Sequence, residues 1–229
     1  MGKQTKEKNR LPEKEAKLVN NFYPKNERQG QLIDLIEDNE VVIATGPAGT
    51  GKTYVTLATA LSMLGRTYKK VVLVKSVTTL PGEEIGFLKG GMEQKMEPFI
   101  MSYMWNIDKI CGVDSAQKLL DKRLIEVLPL AYIRGLSIDN AIVIIDESQN
   151  IDVHTFKTMM TRIGEDSKYI FLGDTEQVDR RRKHESCLAQ VIDIFKDSDI
   201  IGCIEFTDED CVRNPIIPKI LTLLRNNGI

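Results

Sequence analysis

The residues with the plainest chemistry lie in one run. Gly46-Pro47-Ala48-Gly49-Thr50-Gly51-Lys52-Thr53 fills every fixed position of the spacing G-x-x-x-x-G-K-[ST]. Glycines at 46, 49 and 51 leave no Cβ in the way of backbone N–H groups that converge on an anion. Lys52 supplies a cation that reaches β- and γ-phosphates, and the Thr53 hydroxyl is a ligand for Mg²⁺. Tyr54 follows directly and is counted with the nucleotide-contacting residues. Such a run has meaning only between a strand and a helix. Val41–Thr45 is β-favouring, and Val55, Ala58, Leu61 and Met63/Leu64 recur at helical spacing after the loop. The helix N-terminus near Lys52 adds unpaired N–H groups and the positive end of its dipole. The expected ligand is a nucleoside triphosphate.

Two further stretches carry chemistry. Asp146-Glu147 ends the apolar run Ala141–Ile145, at the carboxyl end of a strand, where open parallel sheets bind ligands. Asp146 together with Thr53 would hold Mg²⁺, a hard, oxygen-liking ion. Glu147 would orient and deprotonate a water for attack on the γ-phosphate, so the expected reaction is hydrolysis. Gly173–Asp179 (GDTEQVD) follows the run Tyr169–Leu172, and the amide of Gln177 suits a γ-phosphate or the attacking water.

The elements that must position these groups read as alternating strands and helices. Besides Val41–Thr45, strands are expected at Lys70–Lys75, Leu124–Leu128, Ala141–Ile145, Tyr169–Leu172 and Ile200–Phe206. Most are continuously apolar, as parallel strands covered on both faces are. Pro24-Lys25-Asn26-Glu27 reads as a turn and cap ahead of a helix over Arg28–Ile36. Helical patterns also cover residues 54–64, 92–105, 115–121, 153–162, 185–196 and 215–226. The expected architecture is α/β, a mostly parallel sheet with helices on both faces. The 229 residues, 42% hydrophobic and 28% charged, suit one domain over residues 21–229, preceded by a flexible basic arm over 1–20.

Composition excludes several classes. No apolar run reaches the roughly 18–20 residues of a membrane span, and the charged start MGKQTKEKNR is expected to be neither a signal peptide nor, with Lys6 at its sixth position, a myristoylation site. Cys111, Cys187, Cys203 and Cys211 show no metal spacing, and reduced thiols imply a cytoplasmic protein. The net charge of −2 is not that of a strongly basic nucleic-acid binder, although Arg180-Arg181-Arg182-Lys183 is a dense local cluster.

Taken together, GPAGTGKTYVTLATA (46–60), GFLKG (86–90), PLAYIRG (129–135), IIDESQN (144–150), TRIG (161–164), GDTEQVD (173–179) and VRNP (212–215) resemble the PhoH-like family of P-loop ATPases. Their fold is the RecA-like core shared with superfamily-one helicases. The resemblance implies ATP and Mg²⁺ as cofactors, and it places Gln29 at the adenine. It makes Arg213 and Arg134 candidates to face the triphosphate. It also implies a homo-oligomeric ring, a hexamer, in which the arginine comes from a neighbouring copy. Arg213 is the first candidate and Arg134 or Arg162 the next, while an ion pair of Arg213 with Asp208, Glu209 or Asp210 is the competing reading. Helicase-like proteins contact a single strand after the second strand of the sheet. Lys75, Thr78 and Thr79 are therefore candidate phosphate contacts, and Phe87 and Lys89 a stacking surface and a charge. Tyr103 and Trp105 lie nearby in sequence, and these three aromatics serve equally as core or subunit contacts. One departure is Arg180-Arg181-Arg182, where family members often carry Leu-Pro.

The reading is an ATPase coupled to single-stranded nucleic acid, RNA ahead of DNA, in binding, remodelling or unwinding. The alternatives are a nucleotide-gated oligomeric scaffold for a protein partner, or a small-molecule kinase. A nuclease has no support, since no acidic cluster stands apart from the nucleotide residues.

Overall fold

A computed structural model describes Val19 and residues 22–75, 92–133, 135–177, 186–213 and 216–227. Six strands, β1 (Val41–Thr45), β2 (Lys70–Lys75), β3 (Ile125–Pro129), β4 (Ala141–Asp146), β5 (Lys168–Gly173) and β6 (Gly202–Glu205), form one sheet in the order β3-β2-β4-β5-β1-β6. Every pairing is parallel. The helices are α1 (Glu27–Asp38), α2 (Lys52–Met63), α3 (Met92–Cys111), α4 (Ser115–Asp121), α5 (Leu130–Ile133), α6 (Val153–Met160), α7 (Leu188–Phe195) and α8 (Ile216–Asn226).

The continuous apolar runs are explained by burial on both faces. In β1, Val42 and Ala44 join the cluster packed under α1–α4, while Val41 and Ile43 join the one under α5–α7. Ile142 and Ile144 of β4 face the first layer, and Val143 and Ile145 the second. Each fully buried Val or Ile among them contributes about 2 kcal/mol.

Handedness then decides which helix goes where. The connections β1→β2 and β2→β3 run toward the β3 edge and carry α2, α3 and α4 on one face. Those from β3 to β4, β5 and β6 run back and carry α5, α6 and α7 on the other. Right-handed crossovers require this reversal. Because all strands point one way, the loops after β1, β4 and β5 gather at one edge of the sheet.

The expected α/β architecture with a parallel sheet covered on both faces holds. The sixth strand is shorter than the apolar run 200–206, since Ile200 is 71% exposed and lies before it. The third helix runs on to Cys111, with Gly112 behind it at φ +104 as its stop. The one-turn α5 has no counterpart in the sequence pattern. Among the described residues no helix is long and apolar enough to cross a membrane.

Candidate active site

The loop between β1 and α2 adopts the shape that its glycines permit. Gly51 caps α2 in the left-handed region at φ +87, and a Cβ there would stand 2.7 Å from Gln29 Nε2. Gly51→Ala is therefore expected to cost about 1–2 kcal/mol of stability from the backbone alone and to weaken nucleotide binding by displacing Gln29. Chemical denaturation and a fluorescent nucleotide titration check this, and an unchanged midpoint with unchanged affinity would refute it.

Gln29 is 2% exposed, although a residue at a helix start is commonly solvated. Its amide nitrogen donates to the Thr50 carbonyl at 2.9 Å, and its oxygen accepts from the Lys25 N–H at 2.8 Å. It thus ties the first turn of α1 to the loop. Asn26 caps α1 by accepting from the Gln29 N–H and donates in turn to the Asp210 carbonyl. Val212 N–H donates to the Gly49 carbonyl at 3.1 Å. The segment after β6 is in this way stitched to the loop after β1.

Lys52 lies folded on the loop, its ammonium donating to the carbonyls of Gly46 (2.6 Å) and Pro47 (2.9 Å) and to the Thr50 hydroxyl (3.3 Å). Burial pushes its pKa below the usual lysine value, against the pull of Asp174, Asp146 and Glu147. Asp146, at the end of β4, is pushed up mainly by burial and next by the adjacent Glu147. Its Oδ2 accepts from the Tyr103 hydroxyl at 3.2 Å and its Oδ1 from the Glu147 N–H at 3.1 Å.

Glu147 sits in the left-handed region at φ +57, which turns its side chain out of the strand direction. Its Oε2 accepts from Gln149 Nε2 at 2.8 Å, and Gln149 Oε1 accepts from the Asp174 N–H at 3.2 Å. Gln149 therefore links the end of β4 to the end of β5. Asp174 folds its own loop by accepting from the N–H groups of Glu176 and Gln177.

These groups share one cleft of about 750 Å³. Its lining combines polar groups, among them Lys52, Thr53, Asp146, Glu147, Gln177 and Arg213, with the apolar surface of Phe22, Tyr23, Tyr54 and Ile110, the Phe22 and Tyr54 rings 5.8 Å apart. Ala48, Gly49, Gly51 and Gln29 line the cleft as well, while Gly46, Pro47 and Thr50 support the loop from behind through the bonds to Lys52 and Gln29.

The Arg213 stem lies over its own chain's Gly49, and the side chain lines its own chain's cleft. The reason is strand order: β6 pairs with β1, so the residues after β6 fall on the loop after β1. Asp210, one expected partner of Arg213, instead approaches Arg28 at 4.0 Å and accepts from the Thr207 N–H and hydroxyl.

Of the candidate strand-binding residues, Lys75 is described and lies 3.9 Å from Glu147 Oε1. Thr78, Thr79, Phe87 and Lys89 lie outside the described residues, as do Arg134 and Arg180-Arg181-Arg182. Tyr103, one of the aromatics considered for stacking, is 2% exposed and is a core residue bonded to Asp146, whereas Trp105 is 68% exposed. Sequence reasoning does not single out Tyr103, Gln149 or Asp174 as site residues. Gln149 had a signal, an amide three residues past Asp146; Tyr103 had none, since a helix far along the chain delivers it.

The donor set suits a small divalent cation. The Asp146 carboxylate and the Thr53 hydroxyl, which both line the cleft, would be hard oxygen ligands, and a cation would offset the cost of burying Asp146 as an anion. Among the described residues no group of three or more His, Cys, Asp or Glu forms a protein cage for a metal. Mg²⁺, which binds through one or two protein ligands plus phosphates, needs none. Tyr103→Phe removes the hydrogen bond that orients Asp146, and it is expected to raise the Mg²⁺ concentration for half-maximal turnover about tenfold. A magnesium titration with an unmoved midpoint would refute that role.

Comparison with known proteins places this geometry in a group. The family model described as PhoH-like protein matches residues 21–225. The chain is 35% identical over 193 residues to the PhoH-like protein of Bacillus subtilis (strain 168), covering 84% of this chain and 60% of that one. It is 32% identical over 199 residues to Protein PhoH of Escherichia coli (strain K12), covering 86% of this chain and 56% of that one. The chain thus spans little more than half the length of these relatives. Among solved structures it is similar to the large terminase of a thermophilic bacteriophage, with TM-score 0.51, 12% identity and coverage of 86% and 48%. It is also similar to the UvsW helicase of bacteriophage T4, with TM-score 0.50, 12% identity and coverage of 88% and 69%. At such identities the likeness is one of fold, and the fold is that of RecA-like P-loop ATPase domains.

Proposed function

The chain belongs to the PhoH-like family, and on that premise we propose that it hydrolyses ATP with Mg²⁺ and couples turnover to single-stranded nucleic acid, RNA ahead of DNA. The observation that carries the reading is the meeting, in one cleft, of Lys52 and Thr53 from the loop after β1, Asp146 and Glu147 from β4, and Gln177 from the loop after β5.

Each role follows from position. Lys52 exchanges the carbonyls of Gly46 and Pro47 for β- and γ-phosphate oxygens, and the unpaired N–H groups at the start of α2 face the same anion. Thr53 and Asp146 hold Mg²⁺, which when bound screens the phosphate charge and polarises the γ-phosphate. Glu147 takes a proton from the attacking water, and Gln177 holds that water or senses the γ-phosphate. Arg213 neutralises charge that develops on the transferred group. The base lies against the paired rings of Phe22 and Tyr54, and Gln29 shapes the adjoining loop through its bond to the Thr50 carbonyl.

A homo-oligomeric ring, a hexamer by resemblance, belongs to the same reading. With Arg213 on its own loop, the arginine lent by a neighbour falls to Arg134 or Arg162. Arg162 suits this because its carbonyl accepts from Tyr169, near the start of β5 and so at the edge of the sheet opposite the cleft. In this reading it serves the triphosphate of a neighbouring copy. The names of the solved neighbours, a helicase and a large terminase, support an ATP-driven nucleic-acid machine.

A second reading has one observation in its favour. On α8, Ile216, Ile220 and Leu223 are exposed at i, i+4 and i+7, a stripe that suits a protein partner and hence a nucleotide-gated scaffold. Wild-type ATP turnover, measured with and without single-stranded RNA and DNA over a range of salt, separates the two. Stimulation that fades as salt rises supports the coupled ATPase; turnover indifferent to either strand at every salt concentration supports the scaffold.

A further inference from the structure

Lys75 ends β2 as the register partner of Asp146 on β4. Sheet pairing, not a loop, therefore sets where its side chain begins. From there the ammonium lies 3.9 Å from Glu147 Oε1 and 6.0 Å from the centre of the Tyr103 ring, whose hydroxyl donates to Asp146. Gln149 holds the other oxygen of Glu147. Both oxygens of the carboxylate that the proposed reaction uses as its base are thus engaged by the protein itself.

We propose that Lys75 is a positioning residue that restrains Glu147 until the phosphodiester backbone of a bound strand draws the ammonium away. The inference rests on the coupled-ATPase reading and adds to it the group that does the coupling. Three features argue for it. The pair is loose, at the outer limit of an ion pair, with side chains 21% and 41% exposed. A pair of that kind shifts an equilibrium by no more than about fivefold, so a phosphate anion exchanges with it readily. Lys75 also stands at the carboxyl end of its strand, on the same edge as the cleft, where an anion can approach it. One ammonium cannot neutralise a backbone phosphate and Glu147 at full strength. Its transfer leaves Glu147 Oε1 open to the water it must deprotonate.

The full chain tests this as wild type, Lys75→Met, Lys75→Arg and Glu147→Gln, each assayed for ATP turnover alone, with oligouridylate and with oligothymidylate. Lys75→Met is expected to raise kcat without a strand about threefold at unchanged KM, and to shrink the stimulation by either strand by the same factor. Lys75→Arg, which keeps the charge, is expected to restore the wild-type ratio. A structural role alone would lower kcat in Lys75→Met and would not produce the gain. Unchanged or lower strand-free kcat with full stimulation overturns the restraint. Should Lys75→Met lose binding of a fluorescent ADP analogue, Lys75→Gln carries the same comparison with a shorter polar side chain. Wild-type turnover that Glu147→Gln abolishes but Lys75→Met leaves untouched overturns the restraint alone; absence of turnover in the wild type overturns the ATPase reading with it.

Discussion

Glu147→Gln is expected to lower kcat for ATP hydrolysis by about 10²- to 10⁴-fold, the range of a positioned general base, while ATP still binds. The amide is isosteric with the carboxylate and can still accept from Gln149, whose side chain lies 2.8 Å from Glu147 Oε2. The link from β4 through Gln149 to Asp174 therefore survives, and with it the shape of the cleft. What disappears is the ability to take a proton from water. Phosphate release measures the first effect and a fluorescent ATP analogue the second. A variant that kept kcat within twofold of wild type would remove Glu147 from the reaction; one that lost ATP affinity in step with kcat would mean that the side chain shapes the cleft instead.

Arg213→Ala has the other large expected effect. An arginine that stabilises charge in phosphoryl transfer contributes about 10³- to 10⁵-fold to kcat, and a loss at the lower end of that range is expected here. The side chain lines the cleft and is exposed to water, so its charge is partly screened. Its place over its own Gly49 makes a specific demand on a mixing experiment. If Arg213 serves its own chain, combining Arg213→Ala with Glu147→Gln gives no active site, since each copy lacks one essential group. If it serves a neighbour, mixed oligomers contain sites with both groups intact, and turnover reappears. No recovery in the mixture is the expected result; recovery would return Arg213 to the role of an arginine lent across an interface.

Much of this molecule was legible in the order of its residues, for reasons that are local. A strand buried on both faces has to be apolar throughout, which is why Val41–Thr45 and Ala141–Ile145 could be read without ambiguity. Apolar character alone overran at Ile200, which is hydrophobic but lies in water before β6. The phosphate loop was legible because its geometry resides in its own glycines and in the strand and helix that flank it. Asp146 and Glu147 were legible because a parallel strand delivers whatever follows it to the ligand edge.

What the order of residues could not contain is which segments become neighbours across the sheet. Insertion of β5 between β1 and β4 sets Asp174 and Gln177 between the phosphate loop and the carboxylates. Addition of β6 beside β1 brings Arg213 to the loop after β1 of its own chain. The register of β2 on β4 brings Lys75 to Asp146 and Glu147, and the packing of α3 slips the Tyr103 hydroxyl beneath Asp146. Local sequence therefore determined which groups exist and at which strand ends they emerge. Their partners were decided by strand order and register, because hydrogen bonding between parallel strands joins residues by position in the sheet, whatever their separation along the chain.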